Sequence, residues 1–385
     1  MIKGHFPVER FNGVETPFYY YDIELLKKTL KLVKEETKKY GYHQHYAVKA
    51  NANRRILEII ANEGFGADCV SGNEVKAAIN AGFPASKVVF AGVGKTDKEI
   101  NLALDLNIFC FNAESLPELE VINELAAKKG KEAQVALRIN PNVDAHTHEY
   151  ITTGLNENKF GFNLNHLDLV ISKLKVLKNV KLIGLHFHIG SQIEDVHVFE
   201  PLCKKINELQ EYFESNGLKL ANINVGGGLG IDYEDPNKHP IPNFEPYFAV
   251  FNKGLKLREG QTVHFELGRS IIGQSGNLIS RVVYVKEGES KKFVIVDAGM
   301  TDLIRPALYQ AYHKVENITS DLPIEKYDVV GPICESSDCF VKEYDLNQTK
   351  RGDMIAFRSA GAYGEIMASQ YNCREIPKAY FSDKL

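Results

Sequence analysis

The chain has 385 residues, too many for one small core and enough for one large domain plus a smaller one. With 44% hydrophobic and 25% charged residues its composition is that of an ordinary globular protein, which excludes a disordered chain. No apolar run reaches the length of a bilayer span, and a net charge of -4 offers nucleic acid no general attraction. The opening MIKGHFPVERF lacks the apolar core of a secretory signal. The six cysteines (Cys69, Cys110, Cys203, Cys334, Cys339, Cys373) show no CxxC spacing, which argues against a zinc ribbon, a redox motif or a disulfide scaffold. The expectation is a cytoplasmic protein without a metal.

In chain order, TPFYYYD (16–22) reads as a strand and IELLKKTLKLVKEETKKY (23–40) as the first amphipathic helix. Short β-branched runs follow: HYAVK (45–49), GADCV (66–70), VVFAG (88–92), IFCFN (108–112), VALRI (135–139), LIGLHFHI (182–189), INVGG (223–227) and VHFE (263–266). Between them lie helical patterns such as RRILEIIANE (54–63), NEVKAAINAG (73–82), ESLPELEVINELAAKKG (114–130) and LDLVISKLKVLK (167–178). Strands alternating with helices imply parallel pairing through right-handed crossovers. The repeat predicts an α/β fold built on a (β/α)8 TIM-like barrel, with a doubly wound sheet as the alternative. After about residue 272 the helical periodicity fades. LISRVVYVKEGESKKFVIVDAG (278–299) reads as two strands around a charged turn, and KYDVVGPIC and DMIAFRSAG as further strands. The expected division is a barrel over 24–272 and a second, β-rich domain, sandwich or barrel-like, made of 1–23 and 273–385.

Barrel chemistry sits at the C-terminal ends of strands. Lys49, Asp68, His188, the glycines 226–228 and Glu266 all end predicted strands. Taken singly each has an ordinary explanation, as a solvated strand end, a satisfied core histidine or a tight turn. Their coincidence on one rim points to a site. In NVGGGLG (224–230) the glycines let backbone N–H groups approach a phosphate. The spacing is GGGxG, and IDYEDPNKHP behind it starts no helix, so a phosphate monoester suits the loop better than a dinucleotide.

In HFELGRS (264–270), Glu266 can pair with a cationic ring nitrogen and Gly268–Arg269 can hold an anion, although a mutual salt bridge is the plainer reading. DLIRPALY (302–309) sets Arg305 and Tyr309 on one face of a helical turn, where Arg305 can act as a bidentate clamp for a carboxylate, although a surface ion pair is the commoner fate of such an arginine. GPICESSD (331–338) puts Cys334 and Glu335 after a rigid Gly-Pro. SAGAYGEIMAS (359–369) sets Tyr363 among small residues, as a turn approaching a ligand would. The long polar VDAHTHEYITTGLNENKFGF (143–162) is a candidate lid.

Through YAVKANAN, GADCVSGNE, HFHIGSQ, NVGGGLGIDY, ELGRSIIG, DAGMTDLIRPALYQAYH, GPICESSD and SAGAYGEIMASQYN, in that order and nearly end to end, the chain resembles the fold-type III pyridoxal-phosphate-dependent decarboxylases. The resemblance implies a barrel that binds pyridoxal 5'-phosphate, a β domain, and a head-to-tail homodimer with shared active sites. It makes Lys49 the internal-aldimine lysine, stacks His188 on the cofactor ring, pairs Glu266 with the pyridine nitrogen and sets Asp68 behind the ring. Ser191, Gly227, Gly228, Gly268, Arg269 and Tyr363 fall around the phosphate or the substrate carboxylate. Arg269, Arg305, Tyr309, Glu335 and Tyr363 are the implied substrate contacts, with Cys334 and Glu335 donated across the subunit interface and Cys334 as proton donor.

Glu266, where the related racemases carry an arginine, favours decarboxylation. In the similar ornithine and arginine decarboxylases an Asp follows the cysteine; here Glu335 follows, and Arg305 is available for a distal carboxylate. The implied reaction takes meso-2,6-diaminopimelate to L-lysine and carbon dioxide, the last step of lysine biosynthesis, with a carboxynorspermidine decarboxylase as the nearest rival. The family's E-P-G-R reads Glu266-Leu267-Gly268-Arg269 here, so this turn lacks the fixed φ of a proline.

Overall fold

Each apolar run becomes a strand, and most strands stop short of the run that encodes them. The computed structural model describes residues 4–143 and 159–385. The first nine strands are β1 (Phe18–Tyr21), β2 (His43–Ala47), β3 (Gly66–Cys69), β4 (Val88–Phe90), β5 (Cys110–Ala113), β6 (Ala133–Arg138), β7 (Val180–His186), β8 (Asn222–Asn224) and β9 (Thr262–Leu267). From β2 to β9 they pair in parallel in chain order, and β2 pairs with β9 to close a barrel. Closure rules out the doubly wound alternative, which leaves two free edges. Side-chain caps start three of the intervening helices: Ser71 and Ser115 accept from the backbone N–H three residues on, and Thr96 forms a capping box with Glu99.

The inward and outward faces follow from the two-residue period of a strand. On β9, Phe265 packs outward on Tyr247, Phe248 and Phe251 of the helix Phe244–Gly254, with ring centroids 5.7, 4.9 and 5.2 Å away. Its neighbour Glu266 therefore points into the barrel. Three site segments expected at strand ends lie beyond them, the glycines 226–228 among them because β8 stops at Asn224. β2 stops at Ala47, and Lys49 sits on a 3-10 turn, Val48–Ala50. His188 lies beyond the end of β7 at His186. Val48 and Ala50 are buried in the turn as they would be in a strand, so apolar patterning does not reveal the change.

The remaining strands are β10 (Gly276–Glu287), β11 (Lys292–Val296), β12 (Val315–Asn317), β13 (Ile324–Val330), β14 (Cys339–Asn347), β15 (Met354–Phe357) and β16 (Lys378–Phe381). They form a mostly antiparallel sheet of order β12-β15-β10-β11-β13-β14, and β1 pairs with β10 and β16. The hairpin expected over 278–299 is β10 and β11, paired from Val282↔Val296 to Glu287↔Lys292. Two compact units result. One, Leu30–Gly230 with Asn243–Gly268, holds the barrel; the other holds the N-terminal residues through Thr29, Ile231–Pro242 and Arg269–Leu385. Among the described residues no helix is long and apolar enough to cross a membrane. Residues 144–158 of the candidate lid lie outside the described residues.

A buried ion pair ties together the loops that follow three barrel strands. Glu114, just after β5, accepts from Arg138 Nη1 at 2.9 Å and from the Gly92 N–H at 3.0 Å through one oxygen, and from the Gly161 N–H at 3.1 Å through the other. Removing the carboxylate leaves Arg138 as an uncompensated buried cation, so Glu114→Ala is expected to cost about 3–5 kcal/mol in urea unfolding. A loss below about 1 kcal/mol would show that water replaces the pair.

Candidate active site

At the barrel's heart three strands aim donors at one carboxylate. Asn112 on β5 and Asn224 on β8 each donate Nδ2–H to Glu266 Oε1, at 3.0 and 2.7 Å. His186, closing β7, lies 2.9 Å from Oε2 through Nε2. All four side chains are buried. Burial alone would push the Glu266 carboxyl up; His186, and then Lys49 and His188, outweigh it and hold the group well below the usual carboxylate range. Asp68, at the end of β3, goes the other way. Its burial and the nearby Glu266 charge push its carboxyl well above the usual range, and its Oδ2 lies 3.9 Å from Lys49 Nζ. The pKa values of two carboxyls in one barrel are thus pushed apart, that of Glu266 downward and that of Asp68 upward.

His188 is kept neutral first by burial and then by Lys49 and Arg138, and its Nδ1 accepts from the Gly227 N–H at 3.3 Å. The glycine loop that supplies this donor has no room for side chains. A Cβ on Gly227 would stand 2.1 Å from the Glu266 carbonyl oxygen, and Gly228, at φ +114°, would meet the Gly190 carbonyl oxygen at 2.8 Å. Ser191 follows in the loop after β7, and Gly268 follows β9. Leu267, where the family has proline, ends β9 opposite Tyr46 and is buried. Lys49, Asp68, His188, the glycine loop and Glu266 therefore come together in the barrel unit.

The other unit carries a cluster of its own. Tyr233 Oη accepts from Arg269 Nη1 at 2.6 Å and from Arg305 Nη1 at 2.9 Å, so one phenol bridges two buried guanidiniums. Burial opposes ionisation of Tyr233, but the two arginines prevail and lower its pKa. Arg269 lies 4.9 Å from the centroid of the Tyr363 ring, and Tyr363 holds a left-handed φ of 57°. Arg305 and Tyr309 open and close the helical turn Arg305–Tyr309, as their spacing predicted. His313 Nδ1 donates to the Arg358 carbonyl at 2.9 Å, which fixes its tautomer and leaves Nε2 to accept from Arg305 Nη1 at 2.9 Å. Cys334 and Glu335 stand exposed on the loop after β13, where the Asn372 side chain accepts from the Cys334 N–H at 3.0 Å and Tyr371 Oη donates to Glu335 at 2.6 Å. Among the described residues neither makes a hydrogen bond to the arginine cluster.

A barrel that holds an ionised carboxylate, a neutral histidine, a glycine cradle and a reachable lysine fits an enzyme that grips a phosphorylated heteroaromatic ring. A family model described as the pyridoxal-dependent decarboxylase, pyridoxal binding domain, matches residues 24–273. The chain is 64% identical, over all of its own length and all of the relative's, to the diaminopimelate decarboxylase of Bacteroides thetaiotaomicron. It is 43% identical to that of Helicobacter pylori strain J99, over 95% of this chain and 90% of the relative. The crystal structure of the Helicobacter pylori diaminopimelate decarboxylase complexed with L-lysine superposes with a TM-score of 0.92 at 41% identity, covering 98% of this chain and 94% of that one. The chain belongs to the pyridoxal-dependent decarboxylases, on their diaminopimelate decarboxylase branch.

Sequence reasoning did not single out Asn112, His186, Asn224, Tyr233 or His313. For Asn112, His186 and Asn224 a signal existed: each is a polar residue within or at the end of an otherwise apolar barrel run. His313 generates a pH prediction. Burial, then the Arg305 charge, lowers its pKa to about 3, against about 6.5 in the unfolded chain. The unfolded chain therefore binds the extra proton between these values, and stability falls as pH drops through that window. The urea midpoint should fall more steeply from about pH 7 to about pH 5 in the native sequence than in His313→Leu. Parallel profiles would mean that His313 titrates alike in the folded and unfolded chains, so that the fold does not depress its pKa.

Proposed function

We propose that Lys49 and Cys334 carry the chemistry of this diaminopimelate decarboxylase, with the barrel residues holding its cofactor. The reaction releases one carboxylate of meso-2,6-diaminopimelate as carbon dioxide and leaves L-lysine, closing lysine biosynthesis. The cofactor is pyridoxal 5'-phosphate, which when bound supplies the electron sink for the pair left behind by the departing carbon dioxide. The residues present fit it. Gly227 and Gly228 pack too closely on the Glu266 and Gly190 carbonyls to carry a Cβ, so the loop offers backbone rather than side chains to a phosphate, and the side chain of Lys49, 40% exposed, can reach an aldehyde. His188 is the neutral ring available for stacking, Ser191, Gly268, Arg269 and Tyr363 are assigned to the phosphate or the substrate carboxylate, and Asp68 lies behind.

The observation that carries the reading is Glu266, a buried carboxylate kept ionised by barrel donors. Such a group keeps a proton on a pyridine nitrogen, which the sink requires. Arg305 receives the distal carboxylate of the substrate. Among the described residues its hydrogen bonds go to a phenol and an imidazole rather than to a carboxylate, so a buried cation is left for an anionic ligand. Arg269, Tyr309, Glu335 and Tyr363 complete the substrate contacts. Cys334 Sγ returns a proton to the carbon that has lost its carboxylate. Because Cys334 and Glu335 are exposed, we assign them to the neighbouring site of a homodimer.

Incubation with meso-diaminopimelate and pyridoxal phosphate is expected to give L-lysine and carbon dioxide in equal amounts; absence of lysine would overturn the assignment. Arg305→Ala should lower kcat/KM for diaminopimelate by about 100-fold or more while leaving cofactor affinity unchanged. Equal turnover of ornithine and diaminopimelate by the unaltered enzyme would contradict the distal clamp.

A further inference from the structure

The hydrogen bonds around Glu266 do more than keep it charged. An ionised carboxylate offers roughly four lone-pair sites, two on each oxygen. Oε1 already accepts from Asn112 and Asn224, and Oε2 accepts from His186. The amide orientation of Asn224 is not free, because its Oδ1 accepts from the Gly226 N–H at 2.9 Å, which turns Nδ2 toward Glu266. Gly226 also accepts from the Glu266 N–H at 2.8 Å, so the loop after β8 grips both the backbone and, through Asn224, the side chain of the same residue. One lone-pair site, on Oε2, is left over. The three donors come from β5, β7 and β8, so the carboxylate is fixed from several directions across the barrel rather than by its own strand.

We propose that Asn112, Asn224 and His186 are positioning residues that saturate Oε1 and half of Oε2, so that Oε2 alone meets the ring nitrogen of the cofactor. The inference rests on the reading of Glu266 as the partner of that nitrogen. A carboxylate with one open site on one oxygen cannot rotate to share a proton between its two oxygens, so the direction in which Glu266 would accept from the ring nitrogen is fixed. With either amide replaced by an apolar group, Oε1 regains an open site and the carboxylate can turn. Without the His186 donor, Oε2 loses the bond that orients its remaining lone pair. The effect is therefore on recognition of the nitrogen, and grip on the phosphate is unaffected.

The test compares the affinity of the apoprotein for pyridoxal phosphate with its affinity for the analogue carrying C–H in place of the ring nitrogen. Both ligands bear the same phosphate and aldehyde, so their ratio isolates the Glu266 contact from folding and from turnover. The unaltered protein is expected to prefer pyridoxal phosphate by about 10-fold or more, and Glu266→Gln to lose most of that preference. Asn224→Leu and His186→Leu are each expected to reduce the preference to about 3-fold or less, and His186→Gln, which keeps a donor, to recover much of it. Asn112→Leu replaces either apolar variant that does not fold. If Glu266→Gln loses the preference but the Asn and His variants keep it, the positioning role is wrong and the Glu266 reading stands. If Glu266→Gln itself keeps the preference, the Glu266 reading falls and the inference falls with it.

Discussion

A carboxylate can stay charged inside a barrel only if the barrel supplies its solvation, and the buried Glu266 sets this condition for the whole chain. Its solvation comes from side chains on β5, β7 and β8, each of which must present one polar residue inward among apolar neighbours. That requires the strands to stand in the right register, which the parallel pairing of β7 with β8 and β8 with β9 provides, Asn224 lying opposite both His186 and His264. The outward face of β9 must meanwhile anchor the strand, and the Phe265 cluster with Tyr247, Phe248 and Phe251 does so. One side of β9 is held by hydrophobic contact and the other by hydrogen bonds. Electrostatics and packing share a single strand.

The same logic separates the two carboxyls of the barrel. Glu266 has three donors and stays ionised; Asp68 has no hydrogen-bonding partner for either oxygen among the described residues and is pushed toward its protonated form by burial and by Glu266. Lys49 therefore faces one negative charge that is firmly held and one that is suppressed. In the other unit the charges are positive, and they are managed by tyrosine. Tyr233 lets Arg269 and Arg305 approach one oxygen, and neutral His313 accepts a hydrogen bond from Arg305 Nη1. Arg305, whose hydrogen bonds go to a phenol and an imidazole, keeps its attraction for an anion, in line with the proposed binding of a substrate carboxylate.

Much of this was legible in residue order. The strand–helix rhythm predicts the barrel, the first helix runs over Ile23–Tyr40 as its periodicity demands, and the change of rhythm near residue 272 precedes the long sheet that begins with β10. Lys49, Asp68, His188 and Glu266 stand near strand ends, where barrel chemistry belongs. Periodicity identifies a face but not a partner, and the missed residues are partners. Asn112 and Glu266 are 154 positions apart, and the phenol of Tyr233 meets Arg305 across 72. Such contacts depend on closure of the barrel and on loop paths that short windows of sequence do not encode. Local backbone change is hidden for a different reason: the 3-10 turn that carries Lys49 buries the same apolar residues that a longer strand would bury.

In the proposed pairing an ionised Glu266 keeps the ring nitrogen of the bound cofactor protonated. The most direct measurement is the 15N chemical shift of pyridoxal phosphate labelled at that nitrogen and bound to the protein at neutral pH. A pyridinium-type shift is expected, moving to the neutral-pyridine range in Glu266→Gln. A neutral-pyridine shift in the unaltered protein would contradict it.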